Sequence, residues 1–595
     1  MDEKKFKKLI YACIVFAVLM LGFLLLSHIF LPSDILSKYF SFNFNHPERV
    51  NILVYSQLRK LVLLGLLVLL FLLVAKYSRL ESVEKLTHSF EKFVLKVLSI
   101  RFLFAVTLVY LCVLFYLAVS RYDLGIDEAV YPLYAKHFWT SGFAYSINNT
   151  RVYIVDNFTM LPVYIASVFN FIFGLTAVWH FKLLISLLSL ISVYIISRVS
   201  QKLYNSKTAV LFIFFLAAQP GFGFVASSFF GEIVQAAFMF YAVYLWLKDD
   251  SPLHTKKILL ISLLFALSIQ TKFQISQVLV LTFLIFHFVD NKKRALSILG
   301  FTVIIVILLG VIRLIPALID DKNNIVPYLR FWADQFGRYT TSDFIFYIDR
   351  AHFFNRFLPV IFLPFLLAGI FMRTKTLLEK FLSIFTTLFF LWWIMYFKLS
   401  NYRVLFIGII PFCFLLAAFV QDFYTNAIES SKKSRKTIVY ISSACIFILM
   451  VYGFSQNLIY AAIGNNDAVQ FDLDETKSRL FTPVAWDDSQ KEFYIEAEAI
   501  LQNADSVYIP SGGMACFVPQ FYLGEDRIFD YAVLVNSLKE TGSTKYVIIG
   551  RTAFPLGLEE GYRRIDSLNV SKNLLLKKGE YELYSVSKKN QSAEE

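Results

Sequence analysis

The chain has 595 residues, of which 57% are hydrophobic and only 17% charged. Soluble domains run near a quarter charged and long uncharged apolar runs mark bilayer spans, so a soluble enzyme is excluded and a polytopic α-helical membrane protein is expected. The net charge of +13 does not indicate nucleic-acid binding, because much of the Lys and Arg sits in short clusters between apolar runs, as the positive-inside rule requires.

The N-terminus, MDEKKFKK, is basic and is placed inside. The first apolar run, 9–31, is too long for the core of a signal peptide and is followed by no small-residue cleavage site, so it reads as a span. A second span over 52–75 returns inward. Residues 76–101 hold six Lys/Arg against three Glu and read as a cytoplasmic surface helix. A third span over 102–120 leads outward to RYDLGIDEAVYPLYAKHFW, residues 121–139. There, the adjacent carboxylates Asp127 and Glu128 open a segment whose apolar residues Ile126, Val130, Leu133 and Phe138 suit one face of a helix lying on the membrane.

The apolar piece 159–176 is kept at the outer interface, or re-entrant, because a crossing there would put Arg198–Lys207 outside. With 178–199 crossing inward, each later basic cluster falls inside: Lys256 and Lys257, Lys292 to Arg294, Arg373 and Lys375, and Lys432 to Lys436. This gives roughly 13 spans. It also sets outer points at Gly231–Glu232, between runs 208–228 and 232–247, at Lys272, between 258–271 and 273–290, at the loop 317–355, and at Lys398–Arg403.

After a last span over 437–458 the composition turns polar. Strand-like runs at Val507–Ile509, Tyr546–Ile549 and Tyr581–Val586, with a helical stretch near Tyr531–Lys539, predict a small extracytoplasmic α/β domain. The expected organisation is a two-span extension with an amphipathic segment over 1–100, a membrane core over 101–459 and the extracytoplasmic domain over 460–595. The five cysteines, Cys13, Cys112, Cys413, Cys445 and Cys516, show no metal or disulfide spacing. The N-x-S/T triplets at Asn148, Asn157 and Asn569 all fall outside, but such triplets also occur by chance.

Four pieces recur together in one superfamily: GIDEAVYPLYAKHFW, SSFFGEIVQAAFMFYAVYLW, ALSIQTKFQISQVLV and NYRVLFIGIIPFCFLLA. In this order and sidedness, over about 101–425, the chain resembles the GT-C membrane glycosyltransferases, in the branch of the protein O-mannosyltransferases and the lipid A aminoarabinose transferases. It departs from that pattern in its two extra N-terminal spans, in Tyr402 preceding Arg403 where Arg-Tyr is usual, and in Glu232 where Asp is commoner. The resemblance implies transfer of a sugar, with inversion, from a polyprenyl-phosphate donor to a hydroxyl acceptor on the non-cytoplasmic face of the cell's inner or plasma membrane.

A hydroxyl is a poor nucleophile at neutral pH, and a positioned carboxylate that takes its proton contributes about 10²–10⁴-fold. Asp127 is the expected base and Glu128 the group that orients it or the acceptor; the plainer reading is that Asp127 caps the surface helix. The leaving phosphate needs cations, and Lys272, Arg403, Lys136 and Arg338 are the candidates. The plainer reading of Lys272 and Arg403 is interfacial anchoring. Glu232, His137, Tyr347 and His352 are candidate substrate contacts, with Glu232 alternatively serving the dipole of its helix. Arg121, Asp349 and Arg350 are further polar residues of the same outer segments. No cofactor is expected: basic residues can neutralise the phosphate in place of a divalent ion at Asp127 and Glu128. The D-x-D-E cluster of Asp472, Asp474 and Glu475 lacks the rest of an EF-hand loop. The alternative functions are a lipid-linked sugar flippase and a non-catalytic scaffold; charges gathered at one face and the lack of an internal repeat favour the enzyme.

Overall fold

The computed structural model describes residues 99–120, 131–133, 135–136, 144–147, 150–153, 160–175, 178–219, 222–227, 231–248, 253–272, 275–290, 294–320, 376–395, 402–428, 489–510, 517–524, 527–540, 544–550, 558–579 and 581–588. The first two expected spans, the last one, the loop 321–375 and the residues between 429 and 488 lie outside this set.

The first unit is a helical bundle. Its elements are α1 (Ile100–Ser120), a short hairpin of β1 (Ala144–Ile147) and β2 (Thr150–Tyr153), α2 (Met160–Phe173), α3 (Val178–Leu203), α4 (Ser206–Ala217), α5 (Phe222–Ser227), α6 (Glu232–Leu247), α7 (Thr255–Thr271), α8 (Ile275–Val289), α9 (Ala295–Asp320), α10 (Leu377–Met395) and α11 (Phe406–Ile428), the last entered through a 3-10 turn at Tyr402–Leu405. Among the described residues one helix, Trp179–Leu203, is long and apolar enough to cross a membrane by length and composition, and seven further apolar helices are shorter. The run 208–228 is broken: α4 stops at Ala217 and α5 starts at Phe222. Pro220 lies between them and supplies no backbone N–H to carry the helix on.

Local chemistry sets the helix ends. The Asn205 side chain caps α4 by accepting from the backbone N–H of Thr208 at 2.9 Å. At the start of α10 a reciprocal capping box forms: Thr376 N–H donates to Glu379 Oε2 at 3.0 Å and Glu379 N–H donates to Thr376 Oγ1 at 3.2 Å. Tyr204 then donates its hydroxyl to Glu379 Oε1 at 2.7 Å, joining the end of α3 to the start of α10. Near that end an aromatic cluster fills the core. Trp246 of α6 stacks on Phe283 of α8 at 5.3 Å and meets Phe286 and Phe381 edge-on at 5.3 and 5.4 Å. The outer surface is apolar on α1, α3 and α9, where Leu108, Val109, Ile191, Ile304 and Ile307 are exposed, as lipid contact requires.

The second unit comprises α12 (Ser489–Ile500), β3 (Val507–Tyr508), α13 (Phe517–Leu523), β4 (Ile528–Phe529), α14 (Tyr531–Glu540), β5 (Lys545–Ile549), α15 (Leu558–Asp566), β6 (Val570–Lys578) and β7 (Tyr581–Lys588). The five strands form one mixed sheet in the order β4-β3-β5-β7-β6. β3 pairs in parallel with β4 and β5, and β7 pairs antiparallel with β5 and β6. Tyr508, Leu534, Leu538, Val547, Ile549, Ile565, Val570 and Val586 make its core. β3, β5, β7 and α14 overlap the predicted strand-like runs and helical stretch, whereas β4 and β6 are not among the predicted runs.

Candidate active site

Two of the predicted residues meet. Gly231 holds φ at +77°, a left-handed conformation that costs glycine little, and turns the chain into α6 with Glu232 as its first residue. α7 runs back beside α6 and ends at Thr271, so Lys272 arrives at the same end of the bundle in extended conformation. Lys272 Nζ lies 2.8 Å from Glu232 Oε1, and the two side chains are 1% and 0% exposed. One turn below, Gln235 Nε2 donates to Ser268 Oγ at 2.9 Å, and Ser268 Oγ donates to the Gln235 carbonyl at 3.1 Å. The polar seam continues into α9. Ser262 donates to the Ile298 carbonyl at 3.1 Å, and Gln270 Nε2 to the Val306 carbonyl at 3.4 Å. An interfacial anchor would extend toward solvent; Lys272 instead points into the protein at a carboxylate.

Backbone at 131–133 and 135–136 is helical, and Tyr131, Leu133 and Ala135 are buried at 2%, 3% and 0%. The apolar face read from the sequence as membrane-facing is therefore packed into the bundle at Leu133, since apolar spacing does not distinguish lipid from protein as the partner. Asn170, near the end of α2, donates its side-chain amide to the carbonyls of Ala135 at 3.5 Å and Lys136 at 3.4 Å, tying this segment to α2. Lys136 is half-buried, and burial pushes its ammonium down to about 8.

Arg403 lies in the 3-10 turn that opens α11. Asp127, Glu128, His137, Arg338, Tyr347 and His352 lie outside the described residues, as do Asp472, Asp474 and Glu475. The described chain leaves α1 at Ser120 and resumes at Tyr131, on either side of the carboxylate pair. Gly223 of α5 packs on Leu114 near the end of α1, where a Cβ on the glycine would meet Leu114 Cδ2 at 3.0 Å. The end of α1 therefore lies at the same end of the bundle as α5, Gly231 and Glu232. Among the described residues no group of three or more His, Cys, Asp or Glu side chains is placed to hold a metal ion.

Sequence reasoning missed one ionisable residue of this region. Lys182, one turn into α3, is 5% exposed. Its signal was available: Lys182, Ser186 and Ser189 recur at i, i+4 and i+7 and so share one helix face, which hydropathy alone does not reveal.

No protein-family model matches the sequence, and no curated protein matches it by sequence. Solved structures do match by fold. The structure of ArnT from Cupriavidus metallidurans bound to undecaprenyl phosphate aligns with a TM-score of 0.55 at 13% identity, covering 81% of this chain and 97% of that one. The same enzyme in the apo state aligns at 0.53 and 14%, with the same coverage. The chain shares the fold of these ArnT structures. The apolar outer face of the bundle is what lipid contact requires. The archaeal oligosaccharyltransferase AglB from Archaeoglobus fulgidus, in complex with an inhibitory peptide and a dolichol-phosphate, aligns at 0.42 and 13% over 74% of this chain and 69% of that one.

Proposed function

We propose that the protein is an inverting glycosyltransferase that moves a sugar from a polyprenyl-phosphate donor to a hydroxyl acceptor at the extracytoplasmic face of the cell's inner or plasma membrane. The observation that carries this reading is the fold aligned over 97% of ArnT, a protein solved with undecaprenyl phosphate bound. Two of the GT-C-like motifs of this sequence, those carrying Glu232 and Lys272, converge on one ion pair.

In the proposed reaction Asp127 accepts the acceptor hydroxyl proton as that oxygen forms its bond to the sugar's anomeric carbon. The anomeric carbon–oxygen bond to phosphate breaks on the opposite face, and its electron pair leaves with the lipid phosphate. Glu128 orients Asp127 or the acceptor. Lys272, Arg403, Lys136 and Arg338 neutralise the departing phosphate. Glu232 aims the Lys272 ammonium, and His137, Tyr347 and His352 contact substrate. The unit over 460–595 serves on the acceptor side. Both hexosyl and pentosyl donors fit the scheme, as do protein, lipid and glycan acceptors.

The test is transfer by the purified, lipid-reconstituted protein from labelled polyprenyl-phosphate sugars to a panel of acceptors, with Asp127→Asn and Lys272→Ala alongside. Transfer that Asp127→Asn abolishes while the donor still binds supports the assignment. Full activity in Asp127→Asn removes Asp127 as base. Movement of lipid-linked sugar across the bilayer with no turnover replaces the enzyme by a flippase.

A further inference from the structure

α3 and α6 pack side by side, and their last turns meet at the end of the bundle opposite Glu232 and Lys272. Two ammonium groups, one from each helix, converge there on one ring. Lys202 Nζ lies 5.9 Å and Lys248 Nζ 5.3 Å from the centroid of Tyr244, in the last turn of α6. Tyr241 stacks on Tyr244 with the centroids 6.5 Å apart. Tyr244 is half-buried, while Lys202, Lys248 and Tyr241 are exposed. Arg198, one turn before Lys202, donates from Nη1 to Gln201 Oε1 at 2.6 Å, and Gln201 Nε2 donates to Ser206 Oγ at 2.8 Å. That chain of bonds ties the guanidinium to the turn between α3 and α4.

The depth of these groups follows from the exposed face of α3. Trp179, Leu187, Ile191 and Tyr194 are exposed along it, and Arg198 and Lys202 continue the stripe at further steps of four residues. At 1.5 Å per residue, Trp179 and Arg198 stand about 29 Å apart, close to the ~30 Å hydrocarbon thickness of a bilayer. A spanning α3 therefore puts Trp179 at one interface and Arg198, Lys202 and Lys248 in the headgroup layer of the other, with Tyr194 and Tyr241 at its edge. A single snorkelling lysine reaches for water on its own. Two ammonium groups gathered at one ring repel each other, and an anion set between them is attracted by both. Lys248 is exposed, and an exposed lysine loses little in exchanging a surface partner for a lipid phosphate.

We propose that the adjoining ends of α3 and α6 bind the headgroup phosphate of an anionic phospholipid, with Tyr244 as the floor of the site, Lys202 and Lys248 on either side and Arg198 on the membrane side. One acyl chain runs along Tyr194, Ile191 and Leu187 of α3. Arg198 to Leu187 is about 16 Å at 1.5 Å per residue, the depth of one leaflet of the ~30 Å core. Three cations favour a lipid with a net negative charge, because the ammonium of a zwitterionic headgroup meets like charge here. In the positive-inside reading this end faces the cytoplasmic leaflet, where basic sites between membrane helices meet anionic headgroups. The site lies at the other end of α6 from Glu232, so it is separate from the donor site and stands whichever reaction that site performs.

The experiment titrates palmitoyl-oleoyl phosphatidylglycerol, palmitoyl-oleoyl phosphatidylcholine and inorganic phosphate into the full-length protein in detergent. Native mass spectrometry reads lipid occupancy, and the ligand-induced rise in unfolding midpoint reads it a second way. Wild type is compared with Lys202→Gln plus Lys248→Gln and with Lys202→Arg plus Lys248→Arg. A control, Lys256→Gln plus Lys257→Gln, removes two charges from the start of α7 at the same end of the bundle. Wild type is expected to bind phosphatidylglycerol at least about tenfold more tightly than phosphatidylcholine. The glutamine pair weakens phosphatidylglycerol binding about tenfold to thirtyfold, the effect of two cations at a lipid surface. The arginine pair and the control stay within about threefold of wild type. Inorganic phosphate displaces no lipid. An unchanged affinity in the glutamine pair overturns the proposal. So does an equal loss in the control, which marks general surface charge, or equal affinity for phosphatidylcholine, which marks acyl-chain contact alone. Displacement by inorganic phosphate overturns it too, because the site then takes free phosphate and not a lipid.

Discussion

Lys272 at the end of α7 and Glu232 at the start of α6 form an ion pair 2.8 Å long, with 1% and 0% of their side chains exposed. Removing one partner of a buried pair leaves an uncompensated charge and costs about 3–5 kcal/mol, whereas replacing both by apolar groups of similar volume is often nearly neutral. Glu232→Gln and Lys272→Met are each expected to lower stability by that amount, and the double variant Glu232→Leu with Lys272→Met to recover most of it. A denaturation series on all three variants in one detergent checks this. Additive losses in the double variant would show that the two residues do not act as a pair. Transfer activity separates stability from function: the double variant folds but lacks the Lys272 cation, and is expected to transfer poorly.

The hydrogen bonds between Gln235 and Ser268 lie one turn deeper, and both residues are fully buried. Ser268→Ala strands the Gln235 amide beside an alanine. An unsatisfied buried polar group costs about 1–3 kcal/mol, so this variant is expected to be destabilised in that range. Ser268→Ala combined with Gln235→Leu is expected to cost less than Ser268→Ala alone. A double-mutant cycle on unfolding midpoints reads the difference.

Much of this arrangement is legible in the sequence and part of it is hidden for physical reasons. Bilayer length and the Lys/Arg pattern assign Gly231–Glu232 and Lys272 to one shared end of their helices, and the structure brings Glu232 and Lys272 together. That they touch follows from something sequence also carries: α6 and α7 have 16 and 17 residues, so an antiparallel pair aligns the first residue of one with the end of the other. Lys182 escapes hydropathy because three Lys/Arg in 26 residues still leave the run apolar, and only the helical period puts Lys182 in line with Ser186 and Ser189. The β1–β2 hairpin, registered Ala144 to Tyr153 and Ile147 to Thr150, is likewise unforeseen, although its two-residue connection at Asn148–Asn149 is a hairpin signal. Leu133 illustrates the converse limit, since the same apolar spacing serves a lipid face and a protein face.

Gly408 in the first turn of α11 sets how closely α10 approaches. A Cβ there would lie 2.5 Å from Phe389 Cδ1 and 2.9 Å from Phe390 Cε1, both ring atoms of 0% and 2% exposed residues. Rings packed on both sides have nowhere to move, and overpacking of this kind costs about 1–3 kcal/mol. Gly408→Ala is expected to lower the unfolding midpoint, and Gly408→Ala with Phe389→Leu to restore part of it. A midpoint unchanged in Gly408→Ala would mean that α10 and α11 separate freely.

Burial places the Lys136 ammonium at about 8, below its unfolded value of about 10.4. Between these two values the unfolded chain binds the proton and the folded chain releases it, so stability rises with pH across that window. Below about 8 both states are protonated and the desolvation penalty is fully present. Lys136→Met is therefore expected to be more stable than wild type at neutral pH, with the gap closing toward pH 10. Unfolding midpoints of both proteins from pH 6 to 10 test it, and a constant gap would sink the idea. Where the ammonium also holds the donor phosphate, wild-type transfer falls as pH passes about 8.

Glu582 on β7 lies 4% exposed beneath three donors: Lys577 Nζ at 2.6 Å, the Tyr584 hydroxyl at 2.5 Å and the Tyr562 hydroxyl. Burial works against its charge, but the bonds from Lys577, Tyr562 and Tyr584 outweigh that effect and hold the carboxyl below its ordinary range. Its contribution to stability is thus fully present above the unfolded value of about 4.3 and is lost as pH falls through the lower folded value. Burial first, and then the bond to Glu582, raises both phenols, so their contribution is present below about 10 and is lost as pH rises beyond it. The sheet unit is expected to show a flat stability plateau between those limits and to weaken on either side. Glu582→Gln removes the acid-side slope and costs about 1–3 kcal/mol on the plateau, because the charge-assisted bonds become neutral ones. Thermal unfolding of the full-length protein followed by near-ultraviolet circular dichroism, where tyrosine environments report, measures both effects. A Glu582→Gln protein whose acid-side curve still overlays wild type would show that another carboxylate controls the slope.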